Sequence, residues 1–402
     1  DVADGVADAG RWVTLDADAL SAQRVSLAEQ RAPQVVVGPD SRTQVTDTTI
    51  FPYSAIAFLE LYEADANGDP VLVAACTGAF VSVNVLLTAA HCLWDGAEFG
   101  GYVDGIAVVP GANGDVEPFG WEPAAAVWIP EAYTTNSDPG SPYDYGLIVL
   151  ATTSLGQATG SFEIGILTTA ELADPGFNPT TSGYPGDKPI ATQWVSSEPA
   201  FSQVTYDGLI HYIDSFQGQS GSPVWRGSDF AVVGVESAES DVDNLAVRLD
   251  LPIIYQLLGA CYDIGCRINH FLTDIPGDGG AYSRVWSRTD QPVASGATAR
   301  TWMSRPAPIS KVMLEPYAEA PNGFRTVLYQ EKSRMEITAP DSDPNSIWYV
   351  TNGLLVNELM TGRLQLGNDT FEQYEPAQIN VAGDQNDPNG PTYATFAGLR
   401  SL

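Results

Sequence analysis

The chain has 402 residues, and its 50 Asp and Glu residues outnumber its 18 Lys and Arg residues to give a formal net charge of −32 at pH 7. This charge opposes nucleic acid and anionic membranes as partners, because the chain has no basic patch to release counterions from phosphates. No apolar run approaches the roughly 18 residues that cross a bilayer. From the charge we expect no nucleic-acid partner, and from the lack of a long apolar run we expect no membrane insertion.

Residues 1–34 are rich in Ala and Asp and show little strand pattern, so we interpret them as an extension outside the main core. From residue 35, short apolar runs alternate with turn signals, a pattern typical of an antiparallel barrel or sandwich. The runs are YSAIAFLELYE, VLVAACTGAFVS, VLLTAAHCLWD, GIAVVPGANGD, AAAVWIP, YGLIVLAT, FAVVGVES and NLAVRLD. A short apolar helix, LPIIYQLLGAC, is predicted to close this unit.

A glycine-rich joint, DIPGDGGAY, follows at residues 274–282, and the pattern of short apolar segments differs after it. We interpret residues 280–402 as a separate, mostly β domain. Its large aromatic residues Trp302, Trp348 and Tyr349 are assigned to the core, since large aromatics usually serve packing. A platform for a carbohydrate or another polymer is the alternative interpretation.

The four cysteines form two close pairs, Cys76 with Cys92 and Cys261 with Cys266, and neither pair has the C-x-x-C spacing of a zinc site. Two local disulfides in a secreted, extracellular protein fit this spacing best, and reduced thiols in a cytosolic protein are the alternative. Residues 63–70 and 111–118 place Asp and Asn at alternating positions, as calcium loops do, but the same sequences are typical of hairpin turns. We therefore expect no metal and no other cofactor, with calcium as the alternative.

The three histidines limit the choice of a general base that works near neutral pH. His91 ends an apolar strand in LLTAAHCLWD, whereas His211 and His270 are assigned structural roles. Asp144 opens the apolar strand of SPYDYGLIVL, where a partly buried carboxylate needs a partner. Asp144 is therefore a better candidate than the many exposed acids for orienting a catalytic imidazole.

Ser220 lies in GQSGSPVW, where Gly218 and Gly221 leave the backbone bare on both sides of the hydroxyl. An ordinary turn is one interpretation of such a Gly-Ser cluster. The elbow of an α/β-hydrolase is less consistent with it, because that motif is G-x-S-x-G and residue 222 is a serine.

In the order His91, Asp144, Ser220, the segments TAAHC, DYGLIVL and GQSGSP resemble the active-site motifs of the chymotrypsin-like serine peptidases. GPDSRTQVTDTTIFPYSAI and SGYPGDKPIATQW are similar to segments of the bacterial glutamyl endopeptidase branch. This resemblance covers roughly residues 35–268 and implies a peptidase domain at residues 35–273. The predicted fold class is all-β: a chymotrypsin-like double β-barrel with a short C-terminal helix, plus the separate mostly-β domain.

The resemblance also implies the role of each residue. Ser220 attacks the peptide carbonyl, His91 takes the proton of its hydroxyl, and Asp144 orients His91. The backbone N–H groups of Gly218 and Ser220 form the oxyanion hole. The pairing of Cys76 with Cys92 matches the disulfide that brackets the histidine loop in this family. Alignment with the glutamyl branch makes Val35 the first residue of the mature enzyme, so residues 1–34 are a candidate propeptide of a zymogen.

The predicted specificity pocket departs from the glutamyl branch. That branch reads its acidic substrate residue with a histidine, and Glu236 stands at the matching position. Asp214, six residues before Ser220, stands where trypsin-like members carry the acid that binds Arg or Lys. A basic side chain is therefore expected, unless Asp214 turns away into hydrogen bonds and Glu236 is protonated or paired with an arginine. The residues predicted to bind the substrate are Asp214, Ser215, Glu236, Ser237 and Glu239.

The function predicted from the sequence is a secreted serine endopeptidase that hydrolyses protein or peptide substrates through an acyl-enzyme. Two alternatives remain at this point: an inactive peptidase fold that serves as a binding or scaffold protein, and an esterase that uses the same triad.

Overall fold

The computed structural model divides the chain into two compact units, Asp1–His270 and Phe271–Leu402. It describes residues 10–17, 20, 40–97, 99–138, 140–239, 243–273, 280–303, 310–330, 333–381, 387 and 389–401. Most of the predicted joint at residues 274–282 and the predicted mature N-terminus at Val35 therefore lie outside the described residues. Within the described residues, no helix has the length and apolar character that a membrane crossing requires.

Strands dominate the first unit. Its strands are β1 (Arg11–Thr14), β2 (Thr43–Gln44), β3 (Ile56–Ala64), β4 (Pro70–Phe80), β5 (Val85–Thr88), β6 (Trp94–Asp95), β7 (Gly101–Tyr102), β8 (Gly105–Pro110), β9 (Glu122–Ile129), β10 (Gly146–Leu150), β11 (Ile164–Ile166), β12 (Pro179–Gly183), β13 (Trp194–Ser197), β14 (Gln203–Val204), β15 (Gly208–His211), β16 (Pro223–Arg226), β17 (Val232–Glu239) and β18 (Asn244–Arg248), with β19 (His270–Leu272) at the unit boundary. The helices are Glu131–Thr135, Ser154–Thr159, Thr169–Leu172 and Leu251–Ile264, with 3-10 turns at Tyr53–Ala55 and Ala90–Cys92.

The first barrel is a closed sheet. Its strands follow the order β1-β9-β10-β5-β4-β3-β8, and a further pairing of β8 with β9 closes the ring of six strands β9, β10, β5, β4, β3 and β8. Strands β5, β8 and β10 are buried at every position, as expected where a sheet wraps around its own core. Residues 43–187, which include this whole six-stranded barrel, contain neither Lys nor Arg.

The second barrel is an open sheet in the order β14-β15-β18-β17-β16-β12-β13-β2, with β11 paired to β17. The helix Leu251–Ile264 follows it, and the Asp250 side chain caps that helix by accepting a hydrogen bond from the Ile253 N–H. One closed and one open barrel followed by a short helix confirm the predicted all-β double-barrel architecture.

The segment before the predicted peptidase domain is partly built into the first sheet. β1 pairs antiparallel with β9, and Leu20 is 2% exposed in a cluster with Tyr62 and Ala107. The expectation that residues 1–34 lie outside the main core is therefore wrong for these described residues. The four residues of β1 carry little strand pattern, because they are too few for alternation to show.

The second unit combines a sheet with helices. The sheet order is β20 (Met313–Pro316), β21 (Phe324–Tyr329), β22 (Arg334–Ile337) and β23 (Thr351–Asn352), and β24 (Arg363–Gln365) pairs with β25 (Phe371–Gln373). Its helices are Ala281–Thr289, Gln291–Ala294 and Leu354–Thr361, with 3-10 segments Pro321–Gly323 and Tyr393–Ser401. Tyr349 belongs to the core cluster as expected, but Trp348 is 77% exposed, so its assignment to the core is wrong.

Candidate active site

His91 and Asp144 meet at one end of the first barrel. The 3-10 turn Ala90–Cys92 follows β5 and carries His91, and Asp144 lies two residues before β10, which pairs with β5. The imidazole Nδ1 lies 2.8 Å from Asp144 Oδ2, and the backbone N–H of His91 donates to Asp144 Oδ1 at 2.9 Å. Both carboxylate oxygens therefore hold His91, which fixes the tautomer with its proton on Nδ1 and leaves Nε2 to accept a proton.

A third donor completes the environment of Asp144. Ser237 Oγ donates to Asp144 Oδ2 at 2.5 Å, and the Asp144 residue is only 2% exposed. Burial by itself raises the pKa of this carboxyl, but the charge of His91 and the hydrogen bonds from His91 and Ser237 outweigh burial and lower the pKa below its ordinary value. Asp144 is therefore an anion wherever the imidazole needs its support.

Ser220 is held next to the histidine turn by backbone contacts. Its carbonyl oxygen accepts a hydrogen bond from the Thr77 N–H at 2.9 Å and lies 3.7 Å from the Sγ atom of Cys92, the residue after His91. Cys92 is joined to Cys76 by a disulfide with an S–S distance of 1.98 Å. This arrangement ties the turn that carries His91 to the backbone that carries Ser220.

Two peptide groups next to Ser220 are held through their carbonyl oxygens. The carbonyl of Gln217 accepts from the Gly186 N–H at 2.7 Å, and the carbonyl of Gln219 accepts from the Ser222 N–H at 2.9 Å. Because a trans peptide points its N–H opposite to its carbonyl, the N–H groups of Gly218 and Ser220 face away from these partners. Neither N–H donates to another group within the part of the chain that the structure describes.

Gly218 is required by the backbone itself. Its φ is +94°, and a Cβ atom at this position would lie 2.4 Å from the carbonyl oxygen of Tyr184. Any other residue would therefore face both an unfavourable φ and a steric clash. The motif glycine thus serves the backbone geometry that exposes the Gly218 N–H.

A small pocket opens beside Ser220. The residues that line it come from the segment around Ser220 and from β17: Ser215, Phe216, Gln217, Gln219, Ser220, Glu236, Ser237 and Ala238. Of the predicted binding residues, Ser215, Glu236 and Ser237 are in this lining. Ser237 also binds Asp144, a contact that sequence reasoning did not anticipate.

Asp214 is engaged by a residue from far along the chain. Its Oδ2 accepts hydrogen bonds from the N–H and the Oγ of Ser41 at 2.6 and 2.7 Å. Its Oδ1 is buried without a hydrogen-bond partner among the described residues. Asp214 therefore joins a hydrogen-bond network, as the alternative interpretation of the sequence had it, but only through Oδ2.

Next to Ser41, Arg42 supports the pocket wall. Its guanidinium stacks over the Phe216 ring at 5.5 Å and pairs with Asp40 and Asp187. Sequence reasoning missed this support. Asp40, Ser41 and Arg42 lie ahead of the barrel strands in no recognisable pattern, so the sequence held no signal beyond the resemblance to the glutamyl branch.

Glu236 has a histidine partner. Its Oε1 lies 3.2 Å from His211 Nε2, and His211 on β15 is fully buried. His211, which was assigned a structural role from the sequence, therefore faces the carboxylate that lines the pocket. The alternative interpretation of the sequence expected an arginine as the partner of Glu236. The side chain of Glu239 lies outside the described residues, so its contact with the substrate stays a prediction.

Both predicted disulfides are confirmed, Cys76 with Cys92 and Cys261 with Cys266. In the described part of the chain, the one group of side chains spaced like metal ligands is Cys76, His91 and Cys92. Its two sulfur atoms are bonded to each other, so they are not thiolate ligands.

Two curated relatives match the part of the chain that carries this site. The glutamyl endopeptidase of Bacillus licheniformis is 35% identical over 208 residues, which cover 50% of this chain and 60% of the relative. A Bacillus subtilis protein named extracellular metalloprotease is 30% identical over 238 residues, which cover 59% of this chain and 67% of the relative. The chain belongs to the glutamyl endopeptidase-like serine peptidases of the chymotrypsin fold.

Further comparisons agree in extent. The glutamyl endopeptidase of Staphylococcus epidermidis is 29% identical over 221 residues, or 53% of this chain and 68% of the relative. A solved Glu endopeptidase in complex with MPD shows 27% identity and a TM-score of 0.49, covering 56% of this chain and 99% of that one. No family model matches the chain. The match to the Bacillus licheniformis relative thus covers 60% of the length of that relative and about half of the present chain.

Proposed function

We propose that the protein is a serine endopeptidase in which Ser220, His91 and Asp144 act as nucleophile, general base and orienting acid. The observation that carries this proposal is the bidentate hold of Asp144 on His91, placed beside a serine whose flanking N–H groups have no partner among the described residues. The family relationship supports the same activity.

In the proposed mechanism, His91 Nε2 takes the proton of Ser220 Oγ as that oxygen forms a bond to the substrate carbonyl carbon. The negative charge that develops on the carbonyl oxygen is stabilised by the N–H groups of Gly218 and Ser220. His91 then returns the proton to the departing amine, and an ester joins the acyl group to Ser220. Water, deprotonated by His91, hydrolyses this ester and restores the serine. Asp144 stabilises the imidazolium throughout and does not itself take a proton.

We further propose that a basic side chain, Arg or Lys, is preferred on the acyl side of the cleaved bond. The reason is the charge of the pocket: Glu236 lines it, and Asp214, next to the lining residue Ser215, keeps one buried oxygen without a partner among the described residues. A cation is the group that such carboxylates favour. The names of the relatives do not support this preference, since they are called glutamyl endopeptidases.

Export from the cell is part of the proposal. The protein has two disulfides. Disulfides persist in oxidising compartments and are rare in the cytosol. The Bacillus subtilis relative is named as an extracellular protein. Protein or peptide substrates outside the cell follow from the family relationship.

Labelling with a serine-directed phosphonate tests the mechanism. We expect labelling and peptide hydrolysis that are both lost in Ser220→Ala and kept in Ser228→Ala, which changes an exposed serine later in the same segment. Ester hydrolysis without any peptide cleavage would instead show an esterase. A protein that is neither labelled nor active would show an inactive scaffold.

A peptide-library cleavage profile tests the side-chain preference separately. We expect cleavage after Arg and Lys, and Glu236→Gln should reduce the ratio of kcat/KM for Arg over Gln substrates by at least about tenfold, because one pocket charge is removed. Cleavage mainly after Glu would show that His211 rather than Glu236 governs the charge of the pocket. The mechanism itself would be unaffected by that result.

A further inference from the structure

Residues 10–17 and 20 form contacts that an appended extension does not need. β1 runs antiparallel to the second half of β9, with Trp12 opposite Trp128 and Thr14 opposite Ala126. The ladder continues where the Leu15 N–H donates to the Ala125 carbonyl at 3.0 Å. β8 pairs with β9 only at the start of β9, opposite residues 122 and 123. β1 therefore covers the sheet edge that β8 leaves open.

Three further contacts fix this segment at separate points. Trp12 Nε1–H donates to the carbonyl of Ala260, in the helix Leu251–Ile264, at 2.8 Å. Gly10 lies so close to β9 that a Cβ atom there would be 2.0 Å from the Ile129 carbonyl oxygen. Leu20 is 2% exposed and packs with Tyr62 and Ala107 at the other end of the segment. The segment is thus held by a hydrogen-bonded ladder, an indole hydrogen bond and a buried leucine.

We infer that residues 10–17 and 20, with strand β1 among them, are a permanent part of the first barrel, and that they stay bound without a covalent link when the chain is cut within residues 21–34. An uncovered sheet edge presents unpaired N–H and carbonyl groups and favours the addition of a strand. In this protein the strand that fits the edge is already part of the chain. Processing at the predicted mature N-terminus then yields a two-chain enzyme, and the upstream segment is not discarded.

The position of the segment gives it a supporting role. Its partners lie at Tyr62, Ala107, residues 125–129 and Ala260, whereas the pocket beside Ser220 is lined by residues between 215 and 238. β9 pairs on its other side with β10, the strand that begins two residues after Asp144. The segment therefore braces the strand pair behind the catalytic acid.

A cut made at a chosen position tests this inference. We would use the full chain with Ser220→Ala, so that no self-cleavage occurs and the result does not depend on the proposed peptidase activity. The recognition sequence of a site-specific protease is inserted between Pro33 and Gln34, and the cut protein is run on a size-exclusion column under native conditions. We expect both fragments in one peak by mass spectrometry. Elution of the small fragment as a separate, late peak would overturn the inference.

Matched variants test whether the described contacts hold the fragment. Leu20→Ala removes buried apolar contact and Gly10→Ala adds a methyl group against Ile129, so each should weaken retention of the cut fragment at least about tenfold. Thr14→Ala changes an exposed residue of the same strand and should leave retention within about twofold. Equal retention of all three fragments would contradict the assignment of Leu20 and Gly10 as contacts that hold the fragment. Circular dichroism of each uncut variant confirms that the starting protein is folded.

Discussion

In the first unit the buried carboxylates Asp144 and Glu236 face histidines, whereas in the second unit the buried carboxylates Glu336 and Glu358 face arginines. Both arrangements place anions where water is scarce. They differ in whether the partner can lose its proton. Histidine changes charge between about pH 5 and 8, and arginine is protonated at any pH that a folded protein survives.

The arginine network of the second unit is tightly connected. Arg334 contacts Glu336 at 2.7 Å and Glu358 at 3.0 Å, and Arg325 contacts the other oxygen of Glu336 at 2.9 Å. Four side chains from two strands and the helix Leu354–Thr361 are thereby joined by permanent charges. Ten of the 18 Lys and Arg residues of the chain lie in residues 271–402.

The identity of the partner, histidine or arginine, distinguishes a buried carboxylate that supports chemistry from one that supports the fold. A partner that exchanges protons suits a reaction centre, because a proton must leave and return in each cycle. A partner with a fixed charge suits a structural junction, since the arginine keeps its charge through ordinary changes of pH. Mutations and changes of pH should sharpen or break this distinction, starting with the largest expected effect.

Removing the charge of a buried acid should have different consequences in the two units. Asp144→Asn should lower kcat/KM by about 10⁴-fold, because the amide no longer fixes the His91 tautomer or stabilises its charged form. Glu336→Gln, the matched change in the arginine network, should leave kcat/KM within about twofold. Steady-state hydrolysis of a peptide substrate checks both variants. Equal losses in the two variants would contradict the separation of roles.

Removing a cation from the second unit should act on stability. Arg334→Met leaves Glu336 and Glu358 short of a partner in a buried site, and we expect a loss of about 3–5 kcal/mol in the unfolding free energy of this unit. The double variant Arg334→Met with Glu336→Leu should recover most of this loss, since the uncompensated charge is gone. Urea denaturation followed by intrinsic fluorescence measures both. A double variant no more stable than the single one would argue against an electrostatic cause.

Two crowded glycines with positive φ provide a second matched pair. Gly218→Ala should reduce kcat about 100- to 1000-fold, because the peptide that presents one oxyanion donor must move away from Tyr184. Gly362 in the second unit has φ +68° and would place a Cβ atom 2.0 Å from the Tyr374 carbonyl oxygen. Gly362→Ala should therefore lower the unfolding midpoint while leaving kcat unchanged, as a turnover assay and thermal unfolding can show.

The smallest expected effect concerns pH, and it has opposite signs in the two units. Burial raises the pKa of Asp144, but the charge of His91 and the hydrogen bonds outweigh burial and lower this pKa below 3.8. The contribution of Asp144 to stability is therefore complete above that value and is lost as pH falls through the folded pKa. The pKa of Glu336 is raised above 4.5, because burial outweighs the attraction of Arg334 and Arg325, so its contribution is complete below that value and is lost as pH rises through the folded pKa.

The stability advantage of the unmodified protein over Asp144→Asn should therefore grow as pH rises towards 3.8 and level off above it, and its advantage over Glu336→Gln should shrink as pH rises above 4.5. Each unit of pKa shift corresponds to about 1.4 kcal/mol. Denaturant titrations at several pH values measure these differences. Parallel pH profiles for the two variants would contradict the opposite signs.

Local signals in the sequence were sufficient to predict an antiparallel barrel or sandwich and both disulfides. These signals are apolar runs with turns between them and the spacing of the cysteines. The double-barrel architecture followed from the resemblance to a known family. The contact between His91 and Asp144, and the position of Ser220 next to the histidine turn, could be expected only because three motifs occur in the order of a known family.

The features that the sequence did not predict depend on pairing between distant residues. Ser41 reaches Asp214 across 173 positions, and Trp12 reaches Ala260 across 248. Neither serine nor tryptophan has a preference for a particular hydrogen-bond partner that is strong enough to predict these contacts. His211 was assigned a structural role because one strand residue gives no information about which side chain faces it on the folded sheet.

The lack of Lys and Arg from residue 43 to residue 187 has a consequence for the lifetime of the protein. If the enzyme cuts after basic residues as proposed, it offers its own copies no cleavage site anywhere in the closed barrel. Self-digestion would then begin outside residues 43–187, and a fragment containing this stretch should accumulate intact in concentrated, ageing samples.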